Sequence, residues 1–273
     1  MSHLARSIRR SLALAAVTTT SLCAGTAFAA TNELEEIVVT AQKQEQKLSE
    51  TPLSVTALSS TDLQALAATQ FRDFANTVPG LGFTSEGVGS TQINLRGITS
   101  GGSVSPTVGI YVDEVPYGSS TAFAGAAQLA LDVGLFDLNR VEVLRGPQGT
   151  LYGASTMGGL LKYVTTAPDL QKFGGKARAG LSATDDGDIN YDVASAVNLP
   201  FGSDKAAARL SGFYSHDGGY VDSVGLDEED VNQSDVYGGR ADLLLQPTDA
   251  LSIRLNAFMQ RVDRDGTSQV AYD

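Results

Sequence analysis

Between Lys176 and Gln260 the chain alternates apolar and polar positions in five successive runs. In the first, Ala177, Ala179, Leu181 and Ala183 oppose Lys176, Arg178, Ser182 and Thr184. In the second, Ile189, Tyr191, Val193, Val197 and Leu199 oppose Asn190, Asp192 and Asn198. A looser run covers 206–215; the next, 237–246, sets Tyr237, Ala241, Leu243 and Leu245 against Arg240 and Asp242. In the last, Leu251, Ile253, Leu255, Ala257 and Met259 oppose Ser252, Arg254, Asn256 and Gln260. A period of two marks a strand with unlike faces, so five strands are predicted. A soluble sandwich and an outer-membrane barrel both fit. Run lengths near the roughly 9–11 residues of a tilted membrane strand favour the barrel. So do the connections, in which the short "FGSDK" and "PTDA" alternate with a 19-residue stretch from His216 to Ser234.

Upstream, the texture differs. Residues 30–50 are polar except for Ile37, Val38 and Val39, and no helical apolar face recurs, which predicts an exposed, flexible arm. Thr61 and Gln64 stand at capping-box spacing ahead of Leu66 and Ala67, predicting a short helix. A second helical turn is expected in "QFRDFAN", ended by Pro79-Gly80. The stretches "TQINLRGI", "TVGIYVDEVPY" and "NRVEVLRGPQG" are apolar-alternating and bounded by Gly, Ser and Pro, which predicts strands. Pro168 separates this region from the five alternating runs.

The first residues read as a secretory signal. Arg6, Arg9 and Arg10 precede an uncharged stretch from Ser11 to Phe28 that ends in "AFA", so cleavage is expected after Ala29. Removing that segment takes three arginines and no acid, shifting the net charge from −12 to −15. A chain this acidic has no basic patch for nucleic acid. Cys23 leaves with the signal, and His216 is the single histidine that remains, so neither a disulfide framework nor a His/Cys metal site is expected. The acidic stretch Asp222–Asp235 lacks the glycine and glutamate spacing of a calcium-binding loop and reads as a solvated loop.

The segment "VEVLRGPQGTLYGASTMGG" is strand-like and then glycine-rich. No lysine and hydroxyl follow its glycines as a phosphate-binding loop requires, and G-x-G-x-x-G is absent. Ser155 lacks the flanking glycines of a nucleophile elbow, so no catalytic residue is predicted and no enzyme is expected. What remains is a turn around Gly146, Pro147, Gly149 and Gly153, with Gly158 and Gly159 beyond it, where glycine permits positive φ or close backbone approach.

These residues carry a resemblance. "LFDLNRVEVLRGPQGTLYGASTMGGLLKYVTTAP", with "INLRGI", "VGIYVDEVPY" and "EEIVVTA", resembles the plug region of TonB-dependent outer-membrane receptors over residues 36 to about 168. One departure is "GGLLKYVT", where that family more often has isoleucine and asparagine. The resemblance implies an α+β plug domain, a mixed sheet with short helices, followed by antiparallel β-strands of a transmembrane β-barrel of about 22 strands. The implied organisation is a signal peptide at 1–29, an arm at 30–50, the plug at 51–168 and the first barrel strands at 169–273.

It further implies that Glu36, Ile37, Val38, Val39, Thr40 and Ala41 form the box that pairs with TonB. An extended Ile-Val-Val segment can add a strand to an exposed sheet edge; the alternative is an ordinary strand of the plug. Arg96 and Arg145 are implied to lock the plug to glutamates of the barrel wall, the alternative being solvated arginines paired within the plug. Glu142 lies three residues from Arg145, an offset that puts the two on opposite faces of a strand.

Five strands leave a barrel open. Unpaired backbone groups facing lipid cost several kcal/mol each, tens in total, against the roughly 5–15 kcal/mol by which domains are stable. The chain is therefore expected to be the N-terminal, incomplete part of a longer receptor. The implied function is energy-coupled import of a scarce bulky ligand, such as a ferric siderophore, with no cofactor. TonB, outer-membrane lipid and that ligand are the implied partners. The alternative is a passive outer-membrane binding or structural protein with a fixed plug.

Overall fold

The computed structural model describes residues 37–100, 105–118, 134–185, 187–202, 204–223 and 228–266. The expected signal sequence, its expected cleavage site and Glu36 lie outside the described residues, as does part of the acidic loop.

The first folded region centres on a five-stranded sheet. In spatial order its strands are β3 (Val55–Ser59), β8 (Leu138–Arg145), β9 (Gly159–Thr165), β6 (Val108–Val112) and β7 (Val115–Pro116). β3, β8 and β9 pair antiparallel while β6 and β9 run parallel, so the sheet is mixed. A separate hairpin joins β4 (Leu81–Ser85) to β5 (Thr91–Leu95). β3 and β4 have no counterpart among the strands expected from sequence.

The first helix is Ser60–Ala65, two residues earlier than Thr61 and Gln64 suggested. Its capping box is formed by Ser59 and Asp62: the Ser59 hydroxyl accepts the Asp62 N–H at 3.2 Å and the Asp62 carboxylate accepts the Ser59 N–H at 2.8 Å. The second helix is Phe71–Ala75, and its Asp73 accepts the N–H groups of Thr69 and Gln70, both at 2.8 Å. A short third helix, Gly149–Tyr152, follows β8.

The sheet buries both faces. On one, Val141, Val143, Leu161 and Tyr163 pack with Phe71, Phe74, Val78 and Leu95 from the helices and hairpin. On the other, Leu144, Leu160 and Tyr111 pack with Tyr152 and with Val39 and Ala41 of the arm.

The second region is one antiparallel sheet in chain order: β10 (Gly174–Ala183), β11 (Ile189–Phe201), β12 (Ala206–Asp217), β13 (Ser234–Thr248) and β14 (Leu251–Arg264). All five alternating runs are strands. β10 and β14 are its edges, so this wall is unclosed. One face carries exposed Leu181, Val193, Leu199, Leu210, Leu255 and Met259, while the other turns Arg209, Arg240, Asp242 and Arg254 toward the first region. Only residues 166–173 separate β9 from β10. That connector is tied to β11, since Asn198 accepts the Asp169 N–H and donates to the carbonyls of Asp169 and Lys172.

Candidate functional site

The glycine segment is a bend. Gly146, at φ 103°, gives its N–H to Gly158 O at 2.9 Å, and Gln148 N–H reaches Thr156 O at 3.0 Å, so the chain folds back around Pro147. Gly159 adopts φ 150°, and a Cβ there would overlap the Leu144 carbonyl oxygen. Gly153 also has positive φ. Gly149 departs from expectation, for it opens the short helix with neither positive φ nor a close neighbour.

Arg96 and Arg145 converge on the Pro79–Gly80 turn. Arg145 donates to Pro79 O at 3.3 Å, and the Arg96 backbone N–H to Gly80 O at 2.7 Å. The Arg145 Nε is buried without a hydrogen-bond partner. Among the described residues, neither arginine meets a carboxylate of β10–β14.

Among the described residues, the main ion pairs across the seam between plug and wall set acids of the plug against bases of the wall. The fully buried Asp137 carboxylate faces Lys176 at 3.0 Å, Arg209 Nε at 2.8 Å and Arg240 at 2.9 Å. Burial alone raises its pKa, but the hydrogen bonds and charges of Arg209 and Lys176 outweigh that and hold it below the usual carboxylate range. Asp113 accepts Thr165 N–H at 2.8 Å and lies 3.6 Å from Arg254, which also pairs with Asp242 at 2.8 Å. Farther along the strands, Arg72 of the second helix pairs with Asp217 at 2.9 Å.

Sequence reasoning missed Asp137 and Asp113. The signal was present on the wall, where polar positions of four strands carry Lys176, Arg178, Arg209, Arg240 and Arg254 and call for acids opposite. Both aspartates sit at positive φ, 61° and 52°, a turn conformation that Asp tolerates.

The described part of the arm is mostly exposed or half-buried, but it docks on the plug through two buried residues. β1 (Val38–Val39) pairs with β2 (Gln46–Lys47), and Val39 and Ala41 are 0% and 1% exposed. The cause is the second face of the plug sheet, whose Leu144, Leu160, Tyr111 and Tyr152 need an apolar cover that "IVVTA" supplies. Thr40 is the polar centre of the contact. Its N–H and hydroxyl donate to Glu142 at 2.9 and 3.2 Å, and its hydroxyl accepts from Lys162 at 2.9 Å and Arg140 at 3.4 Å. Tyr152 donates to Ala41 O at 3.0 Å. Burial, then the charges of Glu114 and Glu142, raises the Tyr152 pKa, which keeps the phenol a donor. Glu142 pairs with Arg140 at 2.7 Å, two residues away on the same face, and not with Arg145.

A mixed-sheet domain held by charges against the inner face of an unclosed antiparallel wall defines a plug-and-wall protein. The family model for the TonB-dependent receptor plug domain matches residues 47–160. The pesticin receptor of Yersinia pestis is 36% identical over 148 residues, covering 52% of this chain and 21% of its own length. A vitamin B12 transporter of Vibrio vulnificus is 29% identical over 167 residues, covering 60% of this chain and 26% of its own length. The crystal structure of the ferric yersiniabactin uptake receptor from Yersinia pestis superposes with a TM-score of 0.66 at 26% identity, over 78% of this chain and 32% of that one. Residues 47–160 are a plug domain of the TonB-dependent receptor kind, and the chain spans about a fifth to a quarter of the curated relatives it matches.

Proposed function

We propose that this chain is the plug and first wall strands of an outer-membrane receptor that imports a bulky ligand, a ferric siderophore or similar chelate. In this reading TonB draws on Ile37–Ala41, with Glu36 at the head of the box, and displaces the plug. The observation that carries the proposal is the seating of a separately cored plug on the polar face of a wall whose opposite face is apolar. Tyr191 and Phe201 bound that apolar face on β11. Ten residues at about 3.3 Å rise, tilted by about 40°, span about 25 Å, the height of the lipid-facing band of such barrels. The names of the relatives support a chelate as cargo, since one takes up ferric yersiniabactin.

Arg96 and Arg145 enter the same reading as a second lock, whose carboxylate partners would lie on the wall outside β10–β14. The test of energy coupling is Ile37→Pro in the complete receptor, which removes a backbone donor and disfavours strand pairing. Uptake should be lost with surface binding intact; unchanged uptake rejects the mechanism. The docking of Val39 and Ala41 on the plug favours a second reading, a passive receptor with a permanently seated plug. That reading predicts ligand accumulation that an uncoupler leaves unchanged.

A further inference from the structure

The arm-facing side of the plug sheet sets charged residues beside its apolar ones, in a location closed to water. Along β8, Arg140 and Glu142 alternate with buried Val141 and Val143; across the pair, Glu142 stands directly opposite Lys162 of β9. Charged residues on one face of a strand and valines on the other are the usual signature of a solvated face. Yet Glu142 is 0% and Lys162 1% exposed, because the arm lies over them. The chain has thus placed full charges beneath its arm. Thr40 reconciles the two, joining Glu142 through its N–H and hydroxyl and receiving Lys162 at its hydroxyl and, at 3.4 Å, its carbonyl. Glu114 is the other partner of Lys162 and is half-exposed, which leads the cluster to the surface. One Glu142 oxygen has no hydrogen-bond partner.

We propose that Arg140, Glu142 and Lys162 form a charged socket for Thr40, a catch that keeps residues 37–41 folded against the plug and withheld from strand pairing with a partner. The importance of withholding rests on the arm being the partner-binding segment; the catch itself does not. A buried charge cluster suits reversible release. While the arm is seated, Thr40 supplies bonds that the charges cannot do without. Once it lifts, water reaches the socket and hydrates them, which offsets part of the cost of uncovering Leu144 and Leu160 beside it. An all-apolar seat would lack that compensation.

The test uses the complete receptor bearing Val39→Cys as its reactive cysteine and a maleimide-polyethylene glycol as probe. Labelling should be slow in this background. It should accelerate tenfold or more with Lys162→Met, which keeps the stem and removes the charge, and with Thr40→Val, which keeps the shape and removes the hydroxyl. A reference substitution, Ala75→Cys, places the thiol on the opposite, buried face and should stay unlabelled in both variants. Unchanged labelling at position 39 in both variants overturns the catch, and so does a parallel rise at position 75, which would report general loosening. Neither readout involves uptake, so a receptor that turned out to be passive would leave this result standing.

Discussion

The molecule contains two five-stranded sheets that solve opposite problems. The plug sheet covers both faces, with helices and a hairpin on one side and the arm on the other, and keeps Val141, Val143, Leu144, Leu160 and Leu161 entirely from solvent. The wall inverts this, presenting Val193, Leu210 and Leu255 outward and gathering its arginines inward. Burial sustains the first sheet; the second needs an apolar medium outside and a polar companion inside. The pair teaches that neither sheet is self-sufficient, and that their meeting surface is electrostatic where each would otherwise bury a charge alone.

The strongest way to break that dependence is at Asp137. Asp137→Ala leaves Lys176, Arg209 and Arg240 without their shared anion, and removing one partner of a buried ionic cluster costs about 3–5 kcal/mol. Urea unfolding should shift by that amount, with plug and wall destabilised together. Acid should act in the same way. Because the folded Asp137 pKa is depressed, its stabilisation is present above the unfolded value of about 3.9 and is lost as pH falls below it toward the folded value. Unfolding measured from pH 7 down to 5 should therefore show no Asp137-dependent change, and the difference between wild type and Asp137→Ala should shrink only in stronger acid.

A middle-sized effect sharpens the contrast on the outward side. Leu210→Arg, at mid-strand on β12, should lower wall stability in lipid by about 2–4 kcal/mol, as for arginine near the midplane of a barrel. Refolding into vesicles, compared with the plug transition of the same protein, separates the two sheets. The smallest effect is local to the plug: Ser59→Ala removes the cap where β3 runs into the first helix and should cost about 1 kcal/mol, read as a shift in thermal midpoint.

The wall was almost wholly legible, because a period of two with unlike faces writes each strand directly into residues 176–260. The plug was legible in its glycines and in β5, β6 and β8, and obscure where tertiary contacts decide. The arm reads as exposed because its residues are polar on average, and most of its described residues are at least partly so; nothing local announces that Tyr111 and Tyr152 take up Val39 and Ala41. Glu142 illustrates the same gap. Its distance from Arg145 correctly placed the two on opposite faces, but its true partners, Arg140 and Thr40, required knowing that the arm folds back. Asp137 escaped notice for a different reason, since one acid at a turn gains meaning only once three strands bring their cations to it.

The eight-residue link from β9 to β10, stapled to β11 through Asn198, has a mechanical corollary. Were the plug displaced as proposed, a body fastened along one margin by a short strap would not leave its frame as a cork leaves a bottle; it would swing as a door does. With the hinge beside β10 and β11 and Asp137 bolted to β12 and β13, any passage would open along the opposite jamb, and its width would be set by the angle of swing rather than by the size of the plug.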